Sequence, residues 1–144
     1  METAQLGIRI AQVKGMATTD RKLVSIEDRT YSFALVLIRA FRQVPPRDQA
    51  ERVIWQQLLK SGTSAGANSA ESGGSQSRAD WITKRFIALK EMRETLFWLR
   101  LLRDTSHEKA NDLSWLLDEA NQLVGILTAT VRSARANGNR SSNP

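Results

Sequence analysis

Ser61-Gly62-Thr63-Ser64-Ala65-Gly66-Ala67-Asn68-Ser69-Ala70-Glu71 is the stretch on which the fold turns. As a Gly/Ser linker it would join two separate helical hairpins, because each glycine inside a helix costs about 1 kcal/mol relative to alanine. As a helix it continues the apolar run of Trp55, Leu58 and Leu59. Ser61, Ala65 and Asn68, with Gly62 and Gly66 four apart, then form a small-residue face that lets a neighbouring helix come close or admits a large aromatic side chain. The helical alternative is adopted here. It makes residues from about 47 to 71 one element and leaves Ser72-Gly73-Gly74-Ser75 as the loop.

On the upstream side, Pro45-Pro46 breaks the chain, and Pro46 can serve as the first residue of this helix. The preceding helix opens at Ser25, which stands with Asp28 in capping-box spacing, and its run from Tyr31 to Phe41 is almost wholly apolar, predicting burial on more than one side. On the downstream side, Ser77 and Asp80 repeat the capping spacing and open a third helix over about Arg78 to Arg103. A fourth begins between Ser106 and Asp112 and carries Leu113, Leu116, Leu117, Ala120, Leu123, Val124, Leu127 and Val131 at three-and-four spacing. Four helices of similar length with short turns predict an all-α, antiparallel up-down-up-down four-helix bundle over residues 25–135. Residues 1–24 are expected to be a flexible or frayed arm, and 136–144 a disordered polar tail.

The third helix is the most informative. At about 100° per residue, Trp81, Ile82, Phe86, Leu89, Met92, Leu96 and Leu99 share one broad face, with Asp80, Lys84, Glu91 and Glu94 opposite. Ile87, Trp98, Leu101 and Leu102 project into the polar arc and need a cover of their own. An oligomer interface centred on Trp98 supplies it, since aromatics anchor such surfaces; the alternative is a cover of loops or of the N-terminal segment within one chain.

A chain of 144 residues is of single-domain size and buries roughly two-thirds of its unfolded surface. With no cysteine, disulfides, thiolate metal sites and cysteine nucleophiles are excluded. No run approaches the roughly 18 apolar residues of a membrane span, and no signal peptide is evident, so a cytoplasmic protein is expected.

Chemistry for catalysis is sparse. His107 is the single histidine, placed at a predicted turn, and its Asp104-x-x-His107 spacing lacks the second such motif that a dinuclear bundle site needs. Glu91 and Glu94 lie on a polar arc and are read as solvent-facing partners of basic residues. The glycine-rich stretch lacks the Gly-Lys-Ser/Thr ending of a phosphate-binding loop. Asn68 and Glu71 fit a structural hydrogen-bond network across the bundle better than a site. No enzyme activity, metal or cofactor is expected.

The basic residues are the remaining candidates. The formal charge is +6, from 21 Lys+Arg against 15 Asp+Glu, and the pI is near 10.3, which attracts phosphate-rich partners at long range. Arg78, Arg85, Arg93, Arg100 and Arg103 fall within about 80° of one another, on a stripe overlapping the apolar face. Lys84 and Lys90 are expected to point outward, and Arg132 and Arg135 lie at the end of the fourth helix, where cations suit the helix dipole. Arg78, Lys84, Arg85, Lys90, Arg132 and Arg135 are the candidate nucleic-acid contacts.

The block Gln57 to Glu71, together with Ser77-Arg78-Ala79-Asp80, Ile87-Ala88-Leu89-Lys90-Glu91, Glu94-Thr95 and Trp98-Leu99, resembles the four-helix-bundle proteins encoded in intervening sequences of bacterial 23S ribosomal RNA genes. The resemblance covers about residues 25 to 130. Through that family the chain is similar, more distantly, to the accessory variability proteins of diversity-generating retroelements. The resemblance implies a homopentameric ring, a basic surface suited to RNA or DNA, and no enzymatic activity or cofactor. For the retroelement relatives it also implies association with a reverse transcriptase. The expected function is thus a non-enzymatic, oligomeric nucleic-acid-binding accessory protein, with a protein-interaction scaffold as the alternative.

Overall fold

A computed structural model of the chain describes residues 21, 23–43, 45–106 and 112–140. Four helices make up nearly all of them: α1 (Ile26–Gln43), α2 (Gln49–Ser72), α3 (Arg78–Thr105) and α4 (Leu113–Arg140). No strand occurs among the described residues. Each helix packs on its chain neighbours and α1 also meets α4, so the four close around one core. Phe33, Leu37, Leu58, Met92, Leu99, Leu116, Leu123 and Leu127 lie at its centre, fully buried or nearly so.

The glycine and serine stretch is helical throughout, and its small side chains explain why. A Cβ on Gly62 would stand 2.5 Å from Leu37 Cδ2 and 3.5 Å from Phe33, and one on Gly66 would stand 3.3 Å from the Thr30 carbonyl oxygen. The missing side chains let α1 lie directly against α2, and the packing offsets the low helix propensity of glycine. On the other flank, Thr95 Oγ1 of α3 donates to Ser61 Oγ at 2.8 Å, and Lys84 pairs with Glu71 at 2.7 Å. In both helix pairs, rising numbers on one helix meet falling numbers on the other.

The ends follow the caps. Ser25 Oγ accepts the Asp28 amide at 3.1 Å, and Ser77 Oγ accepts that of Asp80 at 3.0 Å, as their spacing predicts. α2 starts later than expected. Pro46 is not its first residue: Asp48 is the N-cap, its carboxylate accepting the Glu51 amide at 2.9 Å while Glu51 accepts the Arg47 amide.

Three further boundaries and faces differ from the sequence expectation. α4 runs past residue 135 to Arg140, because no proline interrupts it and Gly138 keeps a helical backbone; each further residue adds a hydrogen bond to an existing helix. Residues 141–144 of the expected tail lie outside the described residues, as do 1–20 of the arm. Arg21, within that arm, is buried against α4 and ion-paired there, so packed structure starts before residue 25. Finally, Trp81, Ile82 and Phe86 are only half-buried, and Tyr31 of α1 is 51% exposed. α1 has 18 residues against 28 in α3 and α4, about 27 Å against 42 Å. Glu27, near the start of α1, meets Arg85, about two turns into α3. The first two turns of α3 therefore stand beyond the reach of α1.

Candidate nucleic-acid interface

Of the six candidate cations, Arg85 is the clearest departure. It is 7% exposed, ion-paired with Glu27 of α1, and its guanidinium sits 5.2 Å from the centroid of the Trp81 ring. It is a structural cation and not a solvent-facing contact, because its helix position turns it into the seam that α1 enters. Lys84 is half-buried and committed to Glu71, whose hydrogen bond and charge hold its ammonium pKa above the usual value. Arg78 is exposed and donates to the Ala134 carbonyl at 3.0 Å, tying the start of α3 to the end of α4.

Lys90, Arg132 and Arg135 are exposed and make no ion pair among the described residues. Arg135 lies 4.8 Å over the Phe86 ring, which brings the end of α4 alongside α3. Along its exposed side α3 carries two more cations outside that candidate set. Arg93 and Arg100 are exposed and unpaired among the described residues. With Phe86, Lys90 and Phe97 they follow 4-3-4-3 spacing, a single surface stripe on α3. Arg103 departs from that behaviour: its bond to Asp104 at 2.8 Å raises its own pKa and lowers that of the carboxyl.

The apolar residues of α3 divide. Trp98 is half-buried, donates from Nε1 to Glu94 at 3.2 Å, and meets Phe97 edge-on at 4.9 Å between centroids. Phe97 is 57% exposed. Trp98 and Leu101 line a groove with Val53 and Ile54 of α2, and Ile87 is also half-buried. Leu102 does not belong with them. It is 3% exposed, seven residues after Thr95 and fourteen after Ala88, and it shares their buried face.

One feature escaped the sequence expectation. Glu119 has no exposed surface and accepts from Arg29 Nε at 2.8 Å, Arg29 Nη2 at 2.9 Å and Arg21 Nη1 at 2.6 Å. Arg29 Nη2 also donates to Gln122, and Arg21 Nη2 to Asp118. The signal was present in the periodicity: Arg29 falls on the face of Phe33, Val36 and Ala40, and Glu119 at the edge of the arc of Leu116 and Leu123.

No cluster of three or more metal-ligating side chains occurs among the described residues. His107, the only histidine, lies outside them. Glu91 is half-buried and Glu94 exposed. No helix is long and apolar enough to cross a membrane among the described residues.

The chain matches the family model described as 23S rRNA-intervening sequence protein over residues 24–129. It is also similar to the crystal structure of a protein with unknown function from the S23 ribosomal protein family of Bacteroides thetaiotaomicron. The two are 34% identical with a TM-score of 0.65, over 74% of this chain and 95% of the other. No curated protein matches the chain.

Proposed function

The chain belongs to the family of 23S rRNA-intervening sequence proteins, and on that premise we propose that it is a non-enzymatic, oligomeric, cytoplasmic accessory protein that binds RNA or DNA through its basic surface. The observation that carries this reading is the run of exposed cations Lys90, Arg93, Arg100, Arg132 and Arg135, none of them ion-paired among the described residues. Unpaired guanidiniums and ammoniums have no local carboxylate to lose when phosphate arrives, so they neutralise it and free the counterions condensed on it, which drives binding that weakens with salt. Nothing in the set resembles a base-reading helix, and recognition is mainly of the phosphate backbone.

In this reading the bundle is up-down-up-down and its copies form a ring of five through the face around Trp98. Two helix pairs in opposed register support the first part. The second is supported by Phe97 and Trp98, whose contiguous aromatic surface is the kind that anchors interfaces. The same surface also favours a second reading, in which it docks a partner protein such as the reverse transcriptase of a diversity-generating retroelement.

Light scattering on the purified protein, alone and with a structured RNA at low and moderate salt, tests the proposal. A pentamer-sized particle that gains RNA mass at low salt and sheds it at moderate salt is the expected result. A monomer indifferent to RNA would overturn both the oligomer and the nucleic-acid role.

A further inference from the structure

The end of the bundle that α1 does not reach holds a groove between the start of α3 and the end of α4. Arg78 and Trp81 form one wall and Thr130, Ser133 and Asn137 line the other. Arg85 lies over the Trp81 ring, Glu27 holds Arg85 in turn, and Arg85 is not part of the groove lining. Ser133 and Asn137 are exposed and make no side-chain hydrogen bond among the described residues, and no carboxylate lines the groove.

These groups select a ligand class. An indole in a groove attracts either an organic cation or a flat π-system. A cation is disfavoured, because the Arg85 and Arg78 guanidiniums stand beside the ring and no acid in the lining neutralises another positive charge. An apolar helix is disfavoured by the hydroxyl and amide groups of the α4 wall, which it would bury unpaired. A flat group with hydrogen-bonding edges and an attached anion satisfies every wall, and an unpaired nucleotide has that chemistry. Stacked bases within a duplex do not offer a free face.

We propose that this groove takes an unpaired base of single-stranded nucleic acid, stacked on Trp81, with its edge toward Ser133 and Asn137 and its phosphate at Arg78. The inference rests on the nucleic-acid reading above and sharpens it: the exposed stripe of α3 and α4 holds backbone phosphates of any strand, and the groove gives single strands a preference over duplex.

A short single-stranded oligouridylate carrying 5-iodouridine and a duplex RNA of the same length are the probes. On the wild-type protein, irradiation should crosslink the single strand to the peptide containing Trp81. In fluorescence anisotropy at low salt, Trp81→Leu should weaken the single strand at least about fivefold while leaving the duplex and the salt dependence unchanged. Crosslinks mapping elsewhere, or equal loss for strand and duplex in a variant of unchanged helicity, would overturn the groove assignment and leave the basic-surface reading standing. If Trp81→Leu does not fold, the wild-type crosslink alone decides. Failure of the wild-type protein to bind either probe would overturn both proposals.

Discussion

Glu119 is held at a position where a carboxylate survives only with two guanidiniums around it. Burial of an unpaired charge costs several kcal/mol, and Arg29 meets that cost with a bidentate bond while Arg21 adds a third donor from before the start of α1. Glu119→Gln keeps the shape but removes the charge, leaving the buried Arg29 guanidinium without its carboxylate. It should lower unfolding stability by about 3 kcal/mol, read as a reduced midpoint in urea; an unchanged midpoint would show that water or rearrangement compensates the pair. At this scale the sequence was partly legible. By its own position Arg85 reads as a candidate nucleic-acid contact, and the structure instead buries it, because whether an arginine on the margin of an apolar face meets solvent or a neighbouring helix depends on how long that neighbour is.

Helix for helix, local chemistry and packing divide the work. Ser25 and Ser77 cap α1 and α3 by hydrogen bonds within four residues, so their positions could be read directly. The glycines of α2 carry a different kind of information, about the distance to α1. Gly62→Val should destabilise the bundle by about 2 kcal/mol, since Leu37 is fully buried and has little room to retreat. Gly125 of α4 has nothing within 4 Å of a built Cβ, so Gly125→Ala should gain about 0.5 to 1 kcal/mol from backbone entropy alone. Thermal melts of the two variants give opposite shifts if close helix approach, and not glycine flexibility, is what Gly62 serves. Equal shifts in one direction would refute that assignment.

For the whole molecule, exposed Phe97 and half-buried Trp98 form one aromatic surface outside the core. Trp98→Asp places a charge on the groove shared with Val53 and Leu101. It should break the proposed oligomer to smaller species in sedimentation while leaving the helical circular dichroism intact, because Trp98 lies outside the fully buried core. An unaltered oligomer would move the interface elsewhere. By itself the sequence determined the all-helical class, the four elements and the two serine caps. Periodicity, capping and small-residue spacing are local properties of the chain; for the glycine-rich stretch they offered helix beside linker, and close packing against α1 decided it. Only the tertiary structure decided that Leu102 is core while Trp98 is surface, that Arg85 lies over Trp81 instead of meeting solvent, and that Glu119 joins Arg21 to Arg29. Those outcomes depend on the unequal lengths and relative register of helices far apart in sequence, which a periodic pattern within one helix does not encode.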